Sequence, residues 1–207
     1  SVVIASTTET VAERLLAVLP PTPKAELMAR MDARASKAPQ VEAAPLGEVL
    51  GRLRGMGIAL GVATNDTEGP ARAHLRAAGV EGAFGFVAGF DSGWGAKPGA
   101  GQLLAFAAAA GLDPRDCAMV GDSLHDLAAA RTAGMVGVGV LTGLAGAGYR
   151  SPMHTHSGDF VLVSVGRVRI RLTPQGAAPA IIDLHPGQVV WLERQAHSSS
   201  AWGRSSR

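Results

Sequence analysis

Between residues 57 and 143 short apolar runs alternate with helix-like ones, and this alternation constrains the fold more than any other feature of the chain. "IALGVATND" is an apolar strand running into a polar turn. "EGPARAHLRAAGV" follows as a helix with proline in its first turn. "FGFVAGF" is strand-like, and "KPGAGQLLAFAAAAGL" opens on Pro and Gly before becoming an alanine-rich helix. "DCAMVGDS" is a strand, "LHDLAAARTAG" a helix and "MVGVGVLTG" a strand. A strand–helix–strand repeat implies parallel strands joined by right-handed crossovers, with helices covering the sheet. In such sheets the working groups lie just past the carboxyl ends of the strands. Thr64, Lys97, Asp122 and Asp126 all fall at or just beyond such ends.

The flanks read differently. Helical periodicity over 8–19 stops at "PPTP", residues 23–36 form a second helix, and "PLGEVLGRLRGMG" a third that closes at glycines. After about residue 148 the period becomes two. "FVLVSVGRVRIRL" predicts a β-hairpin turning at Gly166, with one wet face, and "AIIDL", "HPGQ", "VVWLE" predict a second strand–turn–strand. The expected fold class is therefore α/β: a Rossmann-like parallel sheet with flanking helices over residues 1–148, followed by a small antiparallel β-segment over 149–207. Within the first part, 1–45 are helices and 57–143 the α/β core, with the boundary in "AGAGYRSP".

Composition removes several function classes. Aromatics are 4% against 47% hydrophobic residues, so the core is built from small aliphatic side chains. Net charge is +2 and no Lys/Arg run occurs, which argues against a nucleic-acid partner. No run approaches the ~20 apolar residues of a membrane span. Cys117 is the single cysteine; it lies in an apolar strand and reads as a buried structural thiol of a reducing, cytoplasmic setting. An oligomer stays open.

Each strand-end group has two readings. Thr64 offers a hydroxyl and nearby backbone N–H groups to a phosphoryl oxygen, yet any of Thr64, Asn65, Asp66 or Thr67 suits the N-cap of the next helix. Lys97, in "GAKPG", either neutralises phosphate charge or is an exposed loop lysine. Asp122 and Asp126 either hold Mg²⁺ through oxygen or serve as an N-cap aspartate and a first-turn acid. His125, between them, reads as an exposed helix residue. Together, in this order and each at a strand end, they make a phosphate-handling edge.

"GVATND", "AKPG" and "VGDSLHDLAAARTAGM" resemble the second, third and fourth motifs of the haloacid dehalogenase (HAD) phosphatases, in wording similar to phosphoglycolate-phosphatase-like members. The resemblance covers residues 1–145. It implies Mg²⁺-dependent hydrolysis of a small phosphorylated metabolite, a monoester such as 2-phosphoglycolate. It implies that Thr64 and Asn65 lie at the phosphoryl group, that Lys97 stabilises developing charge, and that Asp122 and Asp126 position Mg²⁺. The helices before residue 45 would form a cap. The family's first motif, an aspartate nucleophile with an acid–base aspartate two positions on, has no counterpart before residue 57. "VVIASTTET" matches its spacing with Ser6 and Thr8 in the aspartate positions. Two accounts stay open, a degenerate motif or a chain that begins inside cap sequence; the second is preferred. The family's strand of that motif lies centrally in the sheet, so its loss would bare the ladders of the neighbouring strands.

"PMHTHSGDF" places His154 and His156 two apart on a strand, Asp159 three later, and His197 beyond "PGQVVWLERQA". Imidazoles and a carboxylate suit Fe, Mn, Ni or Zn. This stretch resembles the cupin superfamily, which implies His154, His156 and His197 as metal ligands and Asp159 as a further one. His185, in "LHPG", reads as a turn residue. A phosphatase-like part that lacks its nucleophile strand, joined to a β-segment that lacks its leading strands, is what a truncated or fused reading frame would give.

Overall fold

The computed structural model describes residues 6–40, 44–140, 149–155, 160–163, 168–174, 178, 180–184, 189–192 and 196–202, with side chains up to residue 140 and at Ala178, Ile181 and Asp183. The chain divides into two compact units, Ser1–Asp113 and Pro114–Arg207.

The first unit contains α1 (Thr8–Leu16), α2 (Lys24–Ala35), α3 (Leu46–Gly55), β1 (Gly61–Ala63), α4 (Glu68–Ala77), β2 (Phe86–Ala88) and α5 (Gly101–Ala110). The Thr7 hydroxyl accepts from the Thr10 amide and starts α1. Helices α1 and α2 pack together, and Lys24 closes them with ion pairs to Glu9 and Glu13 at 2.6 and 2.7 Å. Strands β1 and β2 pair in parallel, Val62 opposite Val87, as the crossover through α4 requires. Helix α5 lies on both strands. A Cβ on Gly61 would enter the Phe106 ring, so glycine is what lets that aromatic lie against the strand. Buried Val87, Ala88, Leu103 and Ala107 form the core here.

The second unit contains β3 (Ala118–Gly121), α6 (Leu124–Ala133), β4 (Val136–Val140), β5 (Tyr149–Thr155), β6 (Phe160–Val163), β7 (Val168–Pro174), β8 (Ala180–Leu184), β9 (Val189–Leu192) and β10 (Ala196–Trp202). Helix α6 covers β3 and β4. Ala129, Ala130 and Ala133 are buried with Met135, and the Cys117 thiol is buried, as the sequence implied.

Two expectations are corrected. "FVLVSVGRVRIRL" is not a hairpin: β6 pairs with β4 and β9, whereas β7 pairs with β10 and β8. The second strand–turn–strand also splits, β8 joining β7 and β9 joining β6. The reason lies in side-chain pattern. "FVLV" and "VVWL" are apolar throughout; the first adds in parallel to the β3–β4 ladder, a place for strands apolar on both faces, and the second adds antiparallel beyond it. "VRIRL" alternates, and it sits in a separate antiparallel sheet of order β5-β10-β7-β8. Strand β6 extends the β3–β4 sheet, so residues on both sides of 148 share the second compact unit.

Among the described residues β1 is bonded on one side only, and β3 is the outer strand of its own sheet, order β3-β4-β6-β9. Leu60 and Thr64 point their backbone bonds toward β2, so the alternate residue Ala63 points to the open side. Its carbonyl accepts from the Lys97 ammonium at 2.6 Å, a cation on an unpaired strand carbonyl.

Candidate phosphate-handling site

Thr64 and Asp122 directly follow β1 and β3, Lys97 lies in the loop between β2 and α5, and Asp126 in the first turn of α6. Thr64 is the first residue past β1 and is half-buried. Its hydroxyl accepts from the Asp66 amide at 3.1 Å, a local turn that tightens the loop. Thr64 is not the cap of α4. Thr67 holds that position, yet its side chain makes no cap bond; its hydroxyl donates to Asp32 of α2 at 2.7 Å. The first free amide of α4, at Glu68, is taken by the Asp91 carboxylate at 2.9 Å. A carboxylate from the loop after β2 thus caps the helix from 23 residues away and meets the positive end of its dipole.

That loop is tied down further. Ser92 donates to Glu68 at 2.6 Å and accepts from the Gly89 amide at 2.9 Å. A Cβ on Gly89 would collide with the Glu68 amide and the Asp91 carboxylate, so the two loops close only over glycine. The Ser92 hydroxyl, then the Arg72 guanidinium at 2.7 Å, hold the Glu68 carboxyl below its ordinary value.

Asn65 does not reach outward. Its side-chain amide donates to the Lys97 carbonyl at 2.9 Å and accepts from the Lys97 amide at 2.8 Å. This reciprocal pair reads the backbone of Lys97 on both sides and seats the Lys97 loop on the Thr64 loop. Gln102, which the sequence reading passed over, adds a second tie. Its side-chain amide donates to the Thr64 carbonyl at 3.0 Å and the Gly95 carbonyl at 2.8 Å. The only hint in the sequence is a single polar residue inside an otherwise apolar helix.

In the second unit Asp122 is the first residue past β3 and is exposed, whereas Asp126 is 4% exposed. The N-cap of α6 is Ser123, not Asp122. Ser123 and Asp126 form a capping box: the Asp126 carboxylate accepts from the Ser123 amide at 3.1 Å and its hydroxyl at 2.7 Å, and the Ser123 hydroxyl accepts from the Asp126 amide at 3.3 Å. A Cβ on Gly121 would run into that carboxylate. His125, expected to be exposed, is half-buried on the first turn of α6.

The oxygen donors Asp122 and Asp126 suit a hard cation such as Mg²⁺, which takes one or two carboxylates and completes its shell with water and substrate oxygens. No group of three or more His, Cys, Asp or Glu residues among the described residues is arranged to hold a metal. His154 and His197 stand directly opposite one another in the β5–β10 register. His156, Asp159 and His185 lie outside the described residues. A cavity of about 300 Å³ in the first unit is lined by Phe84, Phe86 and Phe106, with Arg54. It opens at the amino ends of β1 and β2, away from Thr64 and Lys97.

Parts of the chain are similar to known proteins. Residues 37–134 match the haloacid dehalogenase-like hydrolase family. The chain is 40% identical over 97 residues to the probable phosphatase IndB of Dickeya dadantii, covering 47% of this chain and 42% of that one. It is 41% identical over 87 residues to the phosphoglycolate phosphatase of Rhodospirillum rubrum, covering 42% and 36%. The chain thus spans less than half the length of these two relatives. A crystal structure of a predicted phosphoglycolate phosphatase from Haemophilus somnus shares the fold, with TM-score 0.58, 23% identity and 66% of each chain covered. No helix among the described residues is long and apolar enough to cross a membrane.

Proposed function

We propose that this chain carries the phosphate-holding half of a HAD-type phosphatase acting with Mg²⁺ on a small phosphate monoester, of the kind 2-phosphoglycolate represents. The observation that carries the reading is the double tie from Asn65 to the backbone of Lys97. It seats the Lys97 loop on the loop of Thr64, and the Lys97 ammonium bonds the carbonyl of the preceding residue, Ala63; a cation and a hydroxyl on joined loops are what a transferring phosphoryl group needs. In this reading the Thr64 hydroxyl and the amides after it hold phosphoryl oxygens. Lys97, with three donors on its ammonium, opposes the charge that develops as the ester bond breaks. Asp122 is the carboxylate available to Mg²⁺, and Asp126 holds the Asp122 turn in shape through the capping box. The metal, when bound, supplies charge neutralisation at the phosphoryl oxygens.

The covalent step has no assigned residue. Asp32 is the only aspartate before residue 57, and it is engaged by Thr67 on α2. The test is Mg²⁺-dependent hydrolysis of p-nitrophenyl phosphate beside Asp122→Ala. Turnover lost in the variant supports a working site. Absence of turnover in the unsubstituted chain leaves a phosphate-binding segment, and binding of inorganic phosphate weakened by Thr64→Ala then identifies it.

A second reading rests on the pairing of His154 with His197. In it the antiparallel segment, cupin-like by resemblance, holds a transition metal with His156 and Asp159. Metal analysis after exhaustive dialysis separates the two, because Mg²⁺ is lost and a histidine-bound Fe, Mn, Ni or Zn is kept.

A further inference from the structure

We infer that Gln102 is a positioning residue that sets the distance between the Thr64 loop and the Lys97 loop. Gln102 is 0% exposed and is the largest fully buried side chain among the described residues. A core otherwise made of Ala, Val and Leu thus encloses a primary amide at its most protected point. Packing alone does not explain that choice, because methionine or leucine fills a similar volume without a polar group to satisfy.

The hydrogen bonds do explain it. One nitrogen, Nε2, donates to the carbonyls of Thr64 and Gly95, residues 31 apart in sequence that belong to the two strand-end loops. Two acceptors facing one nitrogen also fix the orientation of the amide, since the reverse placement would set oxygen against oxygen. The cost is visible: Oε1 is buried and accepts no hydrogen bond from the described residues. The two carbonyl contacts are kept although the same side chain carries an unmet acceptor.

The neighbouring glycine serves the same end. A Cβ on Gly101 would overlap the Trp94 carbonyl, so the chain from Trp94 to Lys97 folds directly over the first turn of α5. Gln102 then holds this loop from beneath and Asn65 holds it from the side. Substrate is not touched by Gln102. It acts through Thr64 and Lys97, and in this functional arm the inference rests on the phosphatase reading given above.

Three measurements test it. In the unsubstituted chain, the Gln102 side-chain amide protons, followed by NMR, exchange slowly with solvent. In Gln102→Met, amide exchange followed by mass spectrometry accelerates at least tenfold over 64–67 and 94–98, and that over 8–35 stays unchanged. Inorganic phosphate binding, by calorimetry, weakens about tenfold, as expected when two hydrogen bonds are lost. Unchanged loop exchange in a folded Gln102→Met chain would overturn the inference. If that variant does not fold, fast exchange of the Gln102 amide in the unsubstituted chain overturns it alone and slow exchange upholds it. If the unsubstituted chain binds no phosphate, the phosphatase reading fails, and the exchange measurements still decide the role of Gln102.

Discussion

The loop after β1 and the loop after β3 present strand-end groups of the same general kind, but they are built in opposite ways. The β3 loop holds itself. Ser123 and Asp126, three residues apart, satisfy each other's backbone amides within one turn. The β1 loop is held from elsewhere: Asn65 by the backbone at Lys97, Thr64 by Gln102, Thr67 by Asp32, and the Glu68 amide by Asp91. A self-capped loop is correct as soon as its helix forms. A loop tied to three other segments is correct only after those segments have docked. The difference decides which substitutions act locally and which spread.

The largest expected effect is at Lys97. If the chain turns over phosphate monoesters, Lys97→Ala lowers kcat by about 10²–10³-fold, the range for removing one donor from developing anionic charge. Steady-state kinetics checks it, and a change in KM alone would show that Lys97 only binds.

Gly121→Ala sharpens the contrast next. The added methyl enters the Asp126 carboxylate, so the capping box opens and stability falls by about 1–3 kcal/mol, the usual cost of overpacking. Thermal denaturation measures it, and amide exchange over residues 6–113 is expected to stay as it was.

Asn65→Ala breaks the other kind of loop. It removes both hydrogen bonds to the Lys97 backbone and leaves the chain less stable by about 1–3 kcal/mol. Here the disturbance reaches residues more than 30 positions away. Exchange confined to 64–67, with 94–98 still protected, would mean that the loops do not support one another.

Ser123→Ala costs about 1 kcal/mol, the typical value for losing an N-cap side chain, and is read from the denaturation midpoint. The smallest effect is at Glu68. Its folded carboxyl value lies below the ordinary one because Ser92 and then Arg72 stabilise the anion. The stabilisation is therefore complete above the unfolded value near ~4.3 and is lost as pH falls through the lower folded value. Glu68→Gln should flatten the stability profile in that acid range. An unaltered profile would remove this carboxylate from the account of how the two loops are joined.

What the sequence determined follows this division. Alternation of apolar runs with helical ones determined the parallel strands and their crossovers, because side-chain period and chain connectivity are local properties. It also placed Thr64 and Asp122 directly past strands. Tertiary structure alone decided the rest. Thr67 and not Thr64 caps α4, and it does so without its side chain, because Asp91 and Asp32 arrive from other segments. Asn65 turns inward to Lys97, and Gln102 carries two carbonyls that no spacing rule connects. After residue 148, β6 pairs with β4 and β9, strands that are not its neighbours in sequence. A hydrogen bond between distant residues depends on where docking brings them, and that is settled by the packing of whole elements.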